Sequence, residues 1–427
     1  MEHDSAVELK NVLAVTPAGL KRGSITVRGG VILDVREEPG SGGPERRDPG
    51  SAGSAGWISR QPCEDSRPVR DGQLQPDGPG HTVIDCGGRR AVPGFIDVHI
   101  HGALGFDAMQ AGPESLRALS ETLVRWGVTA YCPTTVTAGK EALCKSLEGI
   151  AGAVMCSRRP DWNGAEIIGS HCEGPYFARN RRGAQSESAV RNPDMGEVRE
   201  LWESSQGTLR IFSLAPELPG AIPVIEWLVD RGVTVSAGHT DASFEEAMAG
   251  VRAGISQSTH TFNGMRPMAH RDPGVVCAVL TADTVDAEVI ADGMHVHPEM
   301  VKLLTRLKGN DRVIAVSDLT FMAGLPPGLY NLGDTPVELT GAGAFVRETG
   351  GLAGSVSPLL TAFNNLLKWG FKLEDVVRLT SSNAAKKIGA GGRKGKIAPA
   401  ADADIVVLND DGTVFLTMAR GKVVYQA

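Results

Sequence analysis

Between residues 95 and 318, apolar and β-branched segments recur, each running into a polar or metal-competent residue and then into a helical stretch. The segments are FIDVHI (95–100), TAYCPTT (129–135), IIGSHCE (167–173), IFSLAPE (211–217), VTVSAGH (233–239), ISQSTH (255–260), AEVIAD (287–292) and RVIAVSD (312–318). Amphipathic helices are predicted between several of them. Leu116, Leu119, Leu123 and Trp126 stand at near-helical spacing, as do Ile222, Ile225 and Leu228 ahead of Arg231-Gly232. Eight strands alternating with helices predict an α/β fold, a (β/α)8 barrel of the TIM type, with its active site at the C-terminal strand ends.

The two ends of the chain read differently. Residues 7–35 form short strand-like runs broken at Pro17-Ala18-Gly19 and Gly29-Gly30, and the pattern returns at 405–408, 414–417 and 423–425. Neither end makes a stable sheet alone. The expectation is one small β-sandwich domain, its N-terminal part in 1–92 and its C-terminal part in 390–427, flanking a barrel over 93–389. Residues 39–80 hold 9 Gly, 7 Pro and 5 Ser, half of that stretch, and are read as a disordered or flexible loop.

Composition narrows the function classes. No run of about 18 apolar residues is present, which excludes a membrane span. A net charge of -7, from 43 Lys and Arg against 50 Asp and Glu, disfavours nucleic acid as a partner. The seven cysteines are odd in number and form no Cys-x-x-Cys pair, and no secretory signal pattern opens the chain, so reduced thiols and a cytoplasmic location are expected.

The strand ends carry the chemistry: His99 and His101, Thr134 and Thr135, Glu173, Glu217, His239, His260, Asp292 with His295, and Asp318. His99 and His101 stand at i, i+2 in a strand, so both face the barrel interior. Glu173, His239 and His260 each close a separate strand and suit a catalytic metal, which takes three N/O ligands and leaves a position open for water. Asp318 closes the eighth strand within reach of that water. His171, two residues before Glu173, is read as a supporting group rather than a ligand.

Several runs resemble a known family. Val92-Pro93-Gly94-Phe95-Ile96-Asp97-Val98-His99-Ile100-His101-Gly102 is similar to the opening motif of the amidohydrolase superfamily. His171-Cys172-Glu173-Gly174-Pro175 resembles the His-x-Glu-Gly-Pro motif of N-acetylglucosamine-6-phosphate deacetylases and their N-acetylgalactosamine-6-phosphate relatives. Further matches lie at 237–240, 259–265, 270–274, 290–295, 316–318, 351–355 and 395–399.

The resemblance implies a metal-dependent hydrolase that converts N-acetylglucosamine 6-phosphate to glucosamine 6-phosphate and acetate in amino-sugar catabolism. It implies a divalent ion, zinc, or else iron, manganese or cobalt, on Glu173, His239 and His260. A second ion on His99 and His101 is left open, and Asp318 is implied as general base and then acid. Asn263, Gly264, Arg271 and His295 match substrate-binding positions, with Arg271 reaching across a homodimer interface. Gln185 falls where many members carry His, so its expected contact with substrate differs in chemistry: an amide donates a hydrogen bond but carries no charge. Cys172 replaces a usual large aliphatic and is read as a small buried residue. The alternatives are the galactosamine epimer as substrate, another amidohydrolase reaction, or a non-catalytic barrel scaffold; a scaffold would be expected to have lost some of these ligands.

Overall fold

A computed structural model describes residues 6–38, 75–76 and 81–427. The stretch read as a flexible loop, 39–80, lies outside the described residues except for Gln75–Pro76, a two-residue strand. The first strands carry the alternation of a half-buried sheet. In β1 (Ala6–Thr16), Leu9, Val12 and Ala14 are buried and Asn11 is exposed. β1 pairs antiparallel with β2 (Gly19–Arg28), which pairs with β3 (Val31–Glu37), while β4 (His81–Asp85) and β5 (Arg90–Pro93) add to β1 in parallel.

The next strands are buried along nearly their whole length, with only Arg210, Thr234 and Asp286 half-buried, as parallel strands covered on both faces should be. They are β6 (Phe95–Ile100), β7 (Val128–Thr135), β8 (Ser170–Glu173), β9 (Leu209–Leu214), β10 (Thr234–Ala237), β11 (Gln257–Ser258), β12 (Asp286–Ile290) and β13 (Val313–Val316). They pair in sequence order, all parallel. A helix follows each: α1 (Pro113–Leu123), α2 (Lys140–Ser157), α3 (Met195–Ser204), α4 (Ala221–Val229), α5 (Phe244–Ala253), α6 (Gly274–Thr281), α7 (Pro298–Lys308) and α8 (Leu359–Lys368). The ring closes at the strand ends, where Asp318 N–H donates to His99 O at 3.0 Å and His101 N–H to Leu319 O at 2.8 Å. The closing contacts therefore hold three candidate site residues in register. This is the expected (β/α)8 barrel.

A three-stranded antiparallel sheet not anticipated from the sequence, β14 (Gly328–Leu332), β15 (Thr335–Thr340) and β16 (Gly343–Val346), packs on the barrel mouth. Its contacts join Leu332, Val337 and Leu339 to Val136 and Met322 in one apolar cluster. The C-terminal strands β17 (Ile405–Leu408), β18 (Val414–Ala419) and β19 (Lys422–Gln426) return to the N-terminal sheet, β17 pairing antiparallel with β5. Both ends thus share one sheet and one core, in which Leu9, Ile25, Ile32 and Ile84 meet Val407, Leu416 and Met418. The seam with the barrel is partly ionic: fully buried Lys394 contacts Glu166 at 2.8 Å, Asp402 at 3.0 Å and Asp404 at 2.5 Å.

Candidate active site

Four histidines are oriented by the same device. His99 Nδ1 lies 3.0 Å from Glu288 Oε2, His101 Nδ1 3.0 Å from Thr134 O, His239 Nδ1 2.9 Å from Arg181 O and His260 Nδ1 3.2 Å from Asn263 O. A carbonyl or carboxylate oxygen accepts, so each Nδ1 carries a proton and Nε2 is the nitrogen left to face the centre of the cluster. All four Nε2 atoms converge on the Glu173 carboxylate, at 3.4, 3.3, 3.3 and 3.1 Å for His99, His101, His239 and His260. Asp318 Oδ1 completes the cluster, 3.4 Å from His99 Nε2 and 3.1 Å from His101 Nε2.

This arrangement requires positive charge at its centre. His239 Nε2 and His260 Nε2 stand 3.1 Å apart, and His99 Nε2 is buried with no hydrogen-bond partner. Two facing ring nitrogens and an orphaned nitrogen beside two carboxylates fit a divalent cation with N/O ligands. Two sets of donors lie close enough to hold one: Glu173, His239 and His260, and His99, His101 and Asp318. A third grouping, His99, His171 and Glu288, is committed to other bonds. His171 donates from Nδ1 to Val98 O at 3.2 Å, and its Nε2 meets Ser213 Oγ at 2.7 Å. It supports His99, packing edge-on with ring centroids 4.7 Å apart.

The local electrostatics have the same sign. Burial acts to raise Asp318, but His99 and His101 outweigh it and hold the carboxyl at about 2, so it is an ionised base at neutral pH. Glu173 is likewise held well below the usual carboxylate range against the effect of burial. Burial acts to lower His101, yet Asp318 and Glu173 raise it to about 9. The carboxylates draw in cationic charge, and a metal ion supplies it where protons otherwise would.

The backbone is strained where these side chains emerge. His239, His260 and Asp318 have φ of 45°, 31° and 50°, left-handed values that cost side-chain-bearing residues about 1–3 kcal/mol each. Gly264, at φ 61°, makes a close approach to a candidate ligand: a Cβ there would sit 2.8 Å from His239 Nδ1.

A cavity of about 300 Å³ opens onto the cluster, lined among others by Gln185, Asn263, Gly264, His295 and Leu332. His295 Nδ1 contacts Asp292 Oδ2 at 2.7 Å; burial acts against its charge, but Asp292 raises its pKa and favours an imidazolium. Arg271 is exposed on a loop and does not line this cavity, and neither Arg nor Lys does among the described residues. Glu217 points away from the cluster and accepts from Thr240 Oγ1 at 2.6 Å and Asp241 N–H at 2.7 Å. Thr134 and Thr135 also support: Thr134 Oγ1 accepts from Ile100 N–H, and Thr135 Oγ1 from Glu173 N–H. Cys172 is buried with its thiol pushed up to about 12 by desolvation, which makes it inert.

Sequence reasoning missed Glu288. It accepts from Gln257 Nε2 at 2.6 Å and from His260 N–H at 3.1 Å while orienting His99, so it ties both metal-ligand sets together. Its signal was available as a charge inside the apolar segment AEVIAD, ahead of the Asp292 that ends it.

The amidohydrolase family model matches residues 90–424. The chain belongs to the amidohydrolase family. It is 35% identical over 348 residues to the N-acetylglucosamine-6-phosphate deacetylase of Lysinibacillus sphaericus, covering 81% of this chain and 88% of that one. The N-acetylgalactosamine-6-phosphate deacetylase of Escherichia coli O157:H7 is 35% identical over 318 residues, 74% of this chain and 83% of that one. Among solved structures, a Mycobacterium smegmatis N-acetyl-D-glucosamine-6-phosphate deacetylase variant in complex with N-acetyl-D-glucosamine-6-phosphate superposes with a TM-score of 0.81 at 27% identity, covering 98% of this chain and 99% of that one.

Proposed function

We propose that this protein is a metal-dependent deacetylase of N-acetylglucosamine 6-phosphate, releasing acetate and glucosamine 6-phosphate in amino-sugar catabolism. The observation that carries this reading is the convergence of four oriented imidazoles and two ionised carboxylates at the floor of one cavity, in a chain related to deacetylases of this substrate. Glu173, His239 and His260 would hold the ion, zinc in this reading. When bound there, a divalent metal acidifies water and stabilises negative charge developing on the acetyl oxygen. Asp318, ionised and on the cavity wall, takes the proton of the attacking water and delivers it to the departing nitrogen.

Asn263 and the Gly264 backbone orient the sugar, and the His295 imidazolium meets the phosphate. One imidazolium is little charge for a phosphate dianion, and Arg271 is exposed on its loop. Arg271 of the partner subunit in a homodimer would complete the phosphate site, with the planar fork that suits phosphate oxygens. The free thiols and phosphorylated substrate favour a cytoplasmic setting. Among the described residues, no helix is long and apolar enough to cross a membrane.

The test compares kcat/KM for acetate release from N-acetylglucosamine 6-phosphate, its galactosamine epimer and unphosphorylated N-acetylglucosamine. The expected order is glucosamine 6-phosphate derivative first and unphosphorylated sugar last. Arg271→Ala is expected to raise KM for the phosphorylated sugars at least tenfold and to leave the unphosphorylated sugar unaffected. Preference for the galactosamine epimer, or equal loss on phosphorylated and unphosphorylated sugar, would contradict the corresponding assignment.

A further inference from the structure

Gln185 follows β8 on a loop, 7% exposed, and its amide is engaged at both ends. Thr137 N–H donates to Gln185 Oε1 at 2.7 Å, and Gln185 Nε2 donates to Glu173 Oε2 at 2.7 Å. A backbone N–H can only donate, so it fixes which end of the amide faces Thr137. Turning the amide over would set N–H against N–H at one end and oxygen against carboxylate at the other. This side chain is therefore a fixed donor aimed at one oxygen of the metal-binding carboxylate.

The two oxygens of Glu173 are consequently unequal. Oε1 faces His239 Nε2 and His260 Nε2, at 3.3 and 3.1 Å, with His99 Nε2 at 3.4 Å, and takes no amide hydrogen bond. Oε2 is on the His101 side, 3.3 Å from its Nε2, and receives the amide proton of Gln185. An ion held by His99, His101 and Asp318 that also drew on Glu173 from the His101 side would meet Oε2, whose lone pair and electron density are already drawn upon. An ion held by His239 and His260 uses Oε1 without that competition.

We propose that Gln185 makes the two donor sets unequal: by donating to Glu173 Oε2 it leaves the Glu173, His239 and His260 set strong and weakens binding of a second ion at His99, His101 and Asp318. Gln185 is on this account a positioning residue of the metal centre, engaged with protein at both ends of its amide rather than with substrate. The inference rests on the metal-dependent reading above.

The test uses the full-length protein as purified, dialysed against zinc buffers of stepped free Zn²⁺, with zinc per chain read by elemental analysis. The wild type is expected to fill in two steps at least tenfold apart in free zinc. Gln185→Met keeps the bulk but removes the donor, and should move only the second step, to about tenfold lower free zinc. Gln185→Glu keeps the acceptor for Thr137 N–H and sets a carboxylate oxygen against Glu173 Oε2 in place of the donor, so it should move that step at least as far; it decides the matter if the methionine variant fails to fold. Two equivalents filling together in the wild type, or an unmoved second step in the variants, would overturn the proposal, as would weakening of both steps alike. Acetate release is followed separately: two unequal zinc steps without deacetylation would count against the functional reading and leave this inference standing.

Discussion

Asp318 is useful to the cluster because two forces on it oppose each other and one wins. Desolvation favours its neutral form, but His99 and His101 stabilise the carboxylate, so it is ionised at neutral pH with Oδ1 3.4 and 3.1 Å from their Nε2 atoms. Asp318→Asn is expected to keep zinc on Glu173, His239 and His260 while lowering turnover about 10³-fold, measured as acetate release per zinc-loaded chain. Near-normal turnover would remove Asp318 from its assigned role. Gly264→Ala tests orientation rather than charge. Its Cβ would press on His239 Nδ1, so zinc retention under dialysis should fall on the order of tenfold, with little change in secondary structure by circular dichroism.

Among elements, the strand ends and their loops divide the work unequally. His99, His101, Glu173, His239, His260 and Asp318 were all legible in the sequence because each closes an apolar strand segment, and the ring-closing bonds between β6 and the residues after β13 gather them at one end. Glu217 and Asp292 satisfied the same pattern but turn elsewhere, since a strand-end position places a residue near the mouth without specifying the loop that directs it. Glu217 instead pins the Thr240–Asp241 turn directly after His239. Glu217→Ala should therefore loosen zinc retention about tenfold, whereas Glu217→Gln, which keeps an acceptor for Asp241 N–H, should retain most of it. Glu288 was hidden for the opposite reason: it lies within β12, where the run of apolar neighbours reads as packing. The sheet formed by β14 to β16 escaped because its strands are short, β14 and β15 alternate more and less buried positions, and none follows the strand-then-helix rhythm of the barrel.

Across the whole molecule, the terminal sheet is fastened to the barrel by shared apolar packing and by the buried cluster around Lys394. Burial acts to raise Glu166, but Arg393 and Lys394 overcome it and hold the carboxyl at about 2. Its folded pKa is depressed, so its contribution to stability is fully present above the ordinary carboxylate value near 4.5 and is lost as pH falls towards 2. The joint should accordingly loosen in that acid window, followed as the unfolding midpoint against pH. Lys394→Met, which leaves buried Glu166 and Asp404 and half-buried Asp402 without the lysine cation between them, should cost about 3–5 kcal/mol in denaturant unfolding. The joint lies away from the cavity, so activity per folded chain should change little. Whether the histidine and carboxylate cluster deacetylates an amino-sugar phosphate through a bound metal is read from acetate release from N-acetylglucosamine 6-phosphate before chelation, after it, and after zinc is restored. One acetate per glucosamine 6-phosphate formed, loss of turnover on chelation and recovery with zinc are expected; full activity in the chelated, zinc-free protein would rule the metal-dependent reading out.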